Sequence, residues 1–364
     1  MRSASRAAGR QSPSLVLGAT LAIALCGCQV AGDLLARMAA APGGASPSPA
    51  PGAPRDEGKV GAWRQLIPGS SKGAPAGRTF ATMVLDEAGR KLVVFGGRVE
   101  GAASGETWIF NLADETWRQA ASGPPRWGHG AGFDARSRTM YVVAGQKPQF
   151  LDDTWAFDAK TEQWAEVAVS GSRPGARYAH STVMDPARNR LVVSHGFATD
   201  GRHDDTWALD LGAKTWTDLS PADTRPVKRC LHDGALDASR NGMYLFGGCA
   251  SGFGDCPLND LWFFDFTQKK WAKLDHQGEV PKARTNTALV ADPDGVAFIQ
   301  GGSGSPDDLL RYDPATKSWS KVASGGPGER SEHDAVYDAA NRRLYVFGGR
   351  GATGVQADLW ELRL

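Results

Sequence analysis

Short apolar runs that close on glycine recur along the chain: LVVFGG, YVVAG, LVVSHG, YLFGG, AFIQGG and YVFGG, ending at Gly97, Gly145, Gly196, Gly248, Gly302 and Gly349. Each run is apolar on both alternating sets of positions, which predicts a strand buried on both faces. Before each run lies a segment of small residues, such as HGAGF, HSTVM and HDAVY. After each run come two further segments, and the second alternates tryptophan with polar residues, as a half-wet outer strand does. Turn chemistry such as DPARNR, DASRNG and DPDG joins the first two segments. The pattern predicts repeated units of four short antiparallel strands.

Three landmarks keep these units in register. An arginine is followed eight residues later by aspartate at Arg78/Asp86, Arg126/Asp134, Arg177/Asp185, Arg229/Asp237, Arg284/Asp292 and Arg330/Asp338. The closing glycine is the second landmark. The third is a tryptophan pair at 108/117, 155/164, 207/216 and 262/271, with Leu310 replacing the first tryptophan before Trp319 in the fifth unit. The sixth unit has Trp360 but no second tryptophan. AWRQL at 62–66 matches TWRQA at 116–120 and KWAKL at 270–274, so the N-terminal segment can complete the last unit. Such bookkeeping predicts a closed ring; an open array would need polar capping units at both ends.

The glycine pair after an apolar run, the acidic-x-Trp and the second tryptophan, at a period of about 50 residues, resemble kelch repeats. The resemblance covers residues 61–364 and implies an all-β fold: a six-bladed β-propeller of four-stranded antiparallel blades, closed by the N-terminal strand. Departures from the pattern are Ala144 in unit two, Ser194-His195 in unit three and Leu310 in unit five. The evenly spaced tryptophans are expected to be wedges between blades rather than a sugar-stacking platform. Trp127 alone among the twelve lies outside the template.

In such a blade the starts of strands one and three and the end of strand two share one rim. That rim carries the six arginines, the closing glycines and the acids Glu106, Asp153, Asp205, Asp260, Asp308 and Asp358. Two expectations coexist for the arginines. Planar bidentate pairing with those carboxylates is one. The other comes from the resemblance: in partner-binding kelch domains the arginines line the pocket mouth, a role mapping to Arg78, Arg126, Arg177, Arg229, Arg284 and Arg330. Trp127, Tyr178 and Phe197 fall beside these arginines and complete the candidate binding set.

His129, His180, His232 and His333 recur three residues after an arginine, as a repeated core residue would; His195 and His203 are off-template. No metal and no cofactor are expected. No nucleophile elbow, phosphate loop or zinc-spaced signature appears. Galactose oxidase and sialic acid epimerases share kelch-like propellers, so a carbohydrate-active enzyme with its site in the rim pocket is the alternative to a non-catalytic binder. Cys230, Cys249 and Cys256 all belong to unit four, where fourteen residues separate Gly248 from Trp262, against about eleven elsewhere. A disulfide is expected, either Cys249–Cys256 stapling this loop or Cys230–Cys249 bridging neighbouring strands.

Composition adds little beyond this. A net charge of +1 and 22% charged residues give no reason to expect nucleic acid. The first residues matter more. Arg2, Arg6 and Arg10 precede the apolar run LVLGATLAIAL, which is too short to span a bilayer and resembles a secretory signal. Leu25-Cys26-Gly27-Cys28 then resembles a bacterial lipobox with Cys28 as the acylated residue; an ordinary secretory signal is the alternative. Residues 29–60 are a Pro/Ala/Gly-rich tether with too few large apolar groups to pack. The expected protein is an exported monomer, lipid-anchored to the cell envelope and facing the periplasm or the outer surface, that binds a protein or a glycan.

Overall fold

The computed structural model describes residues 60–69, 71–305 and 307–364. The proposed signal, Cys28 and nearly all of the tether lie outside them. Among the described residues, six blades of four antiparallel strands follow one another, the fifth carrying one further edge strand. Blade one is Thr82–Asp86, Lys91–Phe95, Thr107–Asn111 and Thr116–Ala120. Blade two is Gly130–Asp134, Thr139–Gln146, Phe150–Asp158 and Gln163–Glu166. Blade three is Ser181–Asp185, Arg190–Ser194, Thr206–Asp210 and Thr215–Asp218. Blade four is Asp233–Asp237, Gly242–Phe246, Leu261–Asp265 and Lys270–Leu274. Blade five is Ala288–Ala291, Ala297–Gln300, Asp308–Asp313 and Ser318–Ser324, with Gln277–Gly278 added in parallel at its outer edge. Blade six is Asp334–Asp338, Arg343–Phe347 and Leu359–Arg363, and its outer strand is Trp63–Ile67 from the other end of the chain.

The first strand of each blade touches that of the next, and blade six returns to blade one. Two sets of backbone hydrogen bonds close the ring. In the first, the residue two positions after each arginine donates its N–H to the matching carbonyl of the preceding blade: Gly128 to Phe80, Ala179 to Gly128, Leu231 to Ala179, Asn286 to Leu231, Glu332 to Asn286 and Phe80 to Glu332, at 2.8–3.1 Å. In the second, each closing glycine donates to the arginine carbonyl of the following blade, ending with Gly349 on Arg78. Glycine is needed there because the φ of Gly97 is +91° and a Cβ would lie 2.9 Å from the Thr79 carbonyl oxygen.

Each hydrophobic cluster joins two neighbouring blades, which explains strands apolar on both sides. Leu92 and Val94 pack against blade six, and Val93 and Phe95 against blade two. The second tryptophans are wedges as expected. Trp164 of blade two packs on Phe95 and donates its indole N–H to Thr107 of blade one, and Trp271 donates likewise to Thr206. Trp216, Trp271 and Trp319 are buried and Trp117 and Trp164 partly so, so the same residues that mark the blades also hold neighbours together.

Candidate functional site

The template arginines lie just below the rim. None is more than 3% exposed. Each Nε donates to the carbonyl two or three residues earlier, as Arg177 does to Gly175 at 2.9 Å and Arg330 to Pro327 at 2.9 Å. Each Nη1 donates to the carbonyl just before the closing glycine, at 2.8–3.0 Å in all six blades. The rest of the guanidinium meets the acid. Arg126–Asp153, Arg177–Asp205, Arg229–Asp260 and Arg330–Asp358 are bidentate, at 2.6–3.0 Å. Arg78 reaches Glu106 through one bond of 2.7 Å.

The acidic-x-Trp motif has its explanation here. The indole N–H of the first tryptophan donates to the same carboxylate, as Trp155 does to Asp153 and Trp207 to Asp205, both at 2.8 Å. Burial alone would raise the Asp205 carboxyl, but the hydrogen bonds and charge of Arg177, with the Trp207 bond, hold it below the usual carboxylate range. Blade five shows the converse. Leu310 brings no indole, and Arg284 stands 3.7 Å from Asp308.

The pairing expectation is therefore what the geometry contains, and the mouth-lining expectation needs correction. Arg78, Arg126, Arg177, Arg229, Arg284 and Arg330 are buried, with their donors directed at carbonyls and carboxylates of their own blade.

The rim itself follows one register rule. The residue after each arginine pairs across the rim with the residue after the closing glycine: Thr79 with Arg98, Trp127 with Gln146, Tyr178 with Phe197 and Cys230 with Cys249. In blades two and three this places Trp127, Tyr178 and Phe197 side by side. The Trp127 and Tyr178 rings meet edge-on at 5.1 Å, and Tyr178 meets Phe197 at 5.9 Å. Phe80 extends the row at 5.4 Å from Trp127, and Phe150 stacks on Tyr178 at 5.6 Å. Gly128 makes room: its φ is +61°, and a Cβ would lie 2.9 Å from the Tyr178 ring. All five rings are partly exposed. Arg98 lies 5.9 Å over Trp127 at one end, and Arg202 lies 5.5 Å over Phe197 at the other.

Arg202 ties this arc to blade four. It donates to the Cys249 carbonyl at 3.0 Å and to the Ser251 carbonyl at 2.8 Å. Of the two expected pairings, Cys249–Cys256 is the disulfide present, with 4.3 Å between Cα atoms. Cys230 is buried beside it, sharing two backbone hydrogen bonds with Cys249. The stapled loop carries Phe253, 53% exposed, with the Lys228 ammonium 5.3 Å over its ring.

At the centre of the same rim a cavity of about 220 Å³ descends between the first strands. The ring residues Phe80, Gly128, Ala179, Leu231, Asn286 and Glu332 line it, with the four template histidines and Asp233 and Asp334 below. His195, an off-template candidate, is instead fully buried: its ring packs 5.4 Å from His232 and 5.8 Å from Trp271. His203 lies by Asp200 at 3.4 Å. Among the described residues no group of three or more His, Cys, Asp or Glu side chains is placed to hold a metal ion.

These buried groups set a pH dependence. Burial, then the charge of nearby arginines, pushes His129, His180, His195 and His333 below the ordinary histidine value, with His180 and His333 at about 3. For His232 burial is followed by the charge of His195 and Arg229. A depressed folded value means stability that is present above about 6.5, the unfolded value, and lost as pH falls. Asp233 and Asp334 act oppositely. Burial, joined for Asp233 by repulsion from Asp334, raises them to about 8 and about 7, so their contribution is present at low pH and lost as pH rises. The histidines outnumber them. The unfolding free energy from urea denaturation should therefore fall, and the midpoint with it, between pH 6.5 and 4.5, by up to about 1.4 kcal/mol per pH unit for each histidine not offset. A midpoint unchanged or higher at pH 4.5 would contradict the buried neutral histidines.

With the geometry in place, comparison with known proteins agrees. The KLHDC2/KLHL20/DRC7 Kelch-repeats domain matches residues 59–184 and 140–328. The chain belongs to the kelch-repeat family, and its fold is the kelch propeller. It is 28% identical over 314 residues to the F-box/kelch-repeat protein At1g51550 of Arabidopsis thaliana, covering 71% of this chain and 63% of that one. It is 25% identical over 240 residues to the leucine-zipper-like transcriptional regulator 1 homolog of Drosophila melanogaster, covering 60% and 24%. With the human multiple epidermal growth factor-like domains protein 8 it shares 26% identity over 333 residues, covering 80% of this chain and 11% of that protein. The chain thus spans less than two thirds of each of these relatives.

Phe80, Phe150, Arg98 and Arg202 were missed in the sequence. Phe80 occupies the ring position that is Gly, Ala, Leu, Asn or Glu elsewhere, and such a column comparison would have found it. Phe150 reaches the rim because blade two has the longest central hairpin, which no spacing rule shows.

Proposed function

We propose that the chain is a non-catalytic binding propeller, tethered to the cell envelope through Cys28, that grips a protein partner over the rim carrying the aromatic arc. The single observation that supports this most is the arc itself. Five partly exposed rings, two flanking arginines and the exposed Phe253 run across blades one to four on one face. Trp, Tyr and Arg are the usual anchors of protein interfaces, and a disulfide-stapled loop loses little entropy on binding. A glycan remains the second partner class, because aromatic faces also stack on sugars. The tether fits this role by letting the propeller stand off the membrane.

The test starts from the mature protein used as bait against envelope extracts, with affinity then measured for the captured partner. Trp127→Ala/Phe197→Ala should weaken binding by about 2 kcal/mol or more while keeping the melting temperature within a few degrees. Lys160→Ala/Lys269→Ala, on the opposite rim, should change nothing. The reverse pattern would place the partner on the other face. For the anchor, fatty-acid labelling should be lost in Cys28→Ala and kept in Cys26→Ala; continued labelling of the Cys28 variant would contradict the assignment.

A further inference from the structure

Blade four differs from the others at its rim bridge. The residue after the template arginine and the residue after the closing glycine are Thr79 and Arg98, Trp127 and Gln146, Tyr178 and Phe197, Cys230 and Cys249, Thr285 and Ser303, and Ser331 and Arg350. Two cysteines meet in blade four alone. Both are fully buried, and they exchange two backbone hydrogen bonds of 3.2 and 2.8 Å. Residues directly opposed in such an antiparallel pair stand about 5.5 Å apart at Cα, with their side chains on the same side of the ladder. That spacing suits a disulfide. Cys249 is nevertheless bonded to Cys256, and Cys230 keeps its thiol. Stapling the loop needs two cysteines; the third sets a further sulfur across from the bonded Cys249.

A second observation is the contrast between the two ends of the disulfide. Cys249 is fixed by the bridge to Cys230 and by Arg202, whose Nε donates to the Cys249 carbonyl at 3.0 Å and whose Nη2 lies 3.5 Å from the Cys249 Sγ. A guanidinium so close to the sulfurs favours thiolate over thiol, and the thiolate is the attacking species. Cys256, in contrast, is partly exposed and ends a run of exposed residues from Ser251 to Asp255. Attack on Cys249 from across the bridge therefore leaves both strand ends in place, and the expelled sulfur is the one that can turn to water. A buried cysteine by itself packs as a small apolar residue. One that faces a disulfide sulfur across a two-residue bridge is also positioned to displace its partner.

We propose that Cys230, Cys249 and Cys256 form a thiol–disulfide exchange site that opens the stapled loop and displays Cys256 as a reactive thiol. Cys230 loses its proton to water and its thiolate attacks the Cys249 Sγ. The Cys230–Cys249 bond forms as the Cys249–Cys256 bond breaks, and Cys256 leaves as a thiolate that takes up a proton. One disulfide and one thiol stand on each side, so neither oxidant nor reductant is consumed. The exchange moves the thiol from a buried position to a partly exposed one and frees the loop that carries Phe253. The displayed Cys256 thiolate then reacts with a disulfide from outside, forming a mixed disulfide and releasing one thiol. None of these steps needs the partner of the aromatic arc.

The experiment treats the native mature protein with iodoacetamide at pH 8 without reductant. Digestion with pepsin in acid follows, where thiolates are scarce and disulfides do not reshuffle. Peptide mass mapping should find the alkyl group on Cys256 and a Cys230–Cys249 bridge. Cys230→Ala, which keeps the position apolar, should lose the label altogether and retain Cys249–Cys256. Oxidised glutathione as a second probe should add one glutathione at Cys256 in the wild type and none in Cys230→Ala. Chymotrypsin should cut after Phe253 faster in the alkylated protein than in Cys230→Ala, and equal rates would contradict the opening of the loop. Label confined to Cys230 with Cys249–Cys256 intact, no label on the native protein, or label on Cys256 that persists in Cys230→Ala would overturn the inference. The wild-type map decides the matter even if the variant does not fold.

Discussion

Asp205→Ala is expected to cost the fold about 3–5 kcal/mol, because it breaks a buried ion pair from one side. The Arg177 guanidinium, 1% exposed, would keep only its carbonyl bonds to Gly175 and His195. The Trp207 indole would lose its acceptor too. The Asp308→Ala variant supplies the internal control. Arg284 is 3.7 Å from Asp308 and no indole shares that carboxylate, so a smaller loss of about 1–2 kcal/mol is expected. Urea denaturation of both variants checks the difference. Equal losses would mean that the repeated acidic-x-Trp motif does not stabilise the blade through the arginine.

Removal of the closing strand should have a comparable or larger effect. A chain lacking residues 1–58 keeps Trp63–Ile67 and should melt like the intact protein. A chain lacking residues 1–67 exposes the edge of Leu359–Arg363, an open strand free to pair with another copy. It also loses the packing of Trp63, Leu66 and Ile67 against the clusters flanking blade six. Arg64, bonded at 2.7 Å both to Glu361 of blade six and to Glu115 of blade one, goes with them. These side chains are partly buried, so each contributes less than the about 1.5–3 kcal/mol of a fully buried apolar side chain; with the lost strand ladder the fold is destabilised and aggregation is expected. Similar melting temperatures and solubility for the two truncations would show that this strand does not hold the ring closed.

The fold was legible because its constraints are local and repeated. The closing glycines mark where one blade's N–H meets the next blade's arginine carbonyl, so they recur with the blade. The tryptophan spacing is the length of one hairpin. The site was less legible because its geometry comes from pairings between distant positions. Tyr178 and Phe197 are neighbours only through the rim bridge, and Phe150 joins them through an extended hairpin. The arginines misled for a related reason. Their rim position could be read from the strand order, but their depth could not. The backbone carbonyl before each closing glycine, with the carbonyl two or three residues before the arginine, holds the guanidinium inward. The departures were informative. Leu310 for tryptophan goes with the loosest of the six template arginine–acid pairs, and His195 for glycine fills interblade space with a ring.

On the proposed function, the partner lies over the aromatic arc. Site-specific photo-crosslinking in intact cells tests it most directly, with the crosslinking residue placed at Lys147, beside Phe150, or at Lys160 on the opposite rim. A discrete adduct from position 147 that is lost with Trp127→Ala/Phe197→Ala, and none from position 160, is the predicted result. An adduct from position 160 alone, insensitive to the arc substitutions, would contradict it.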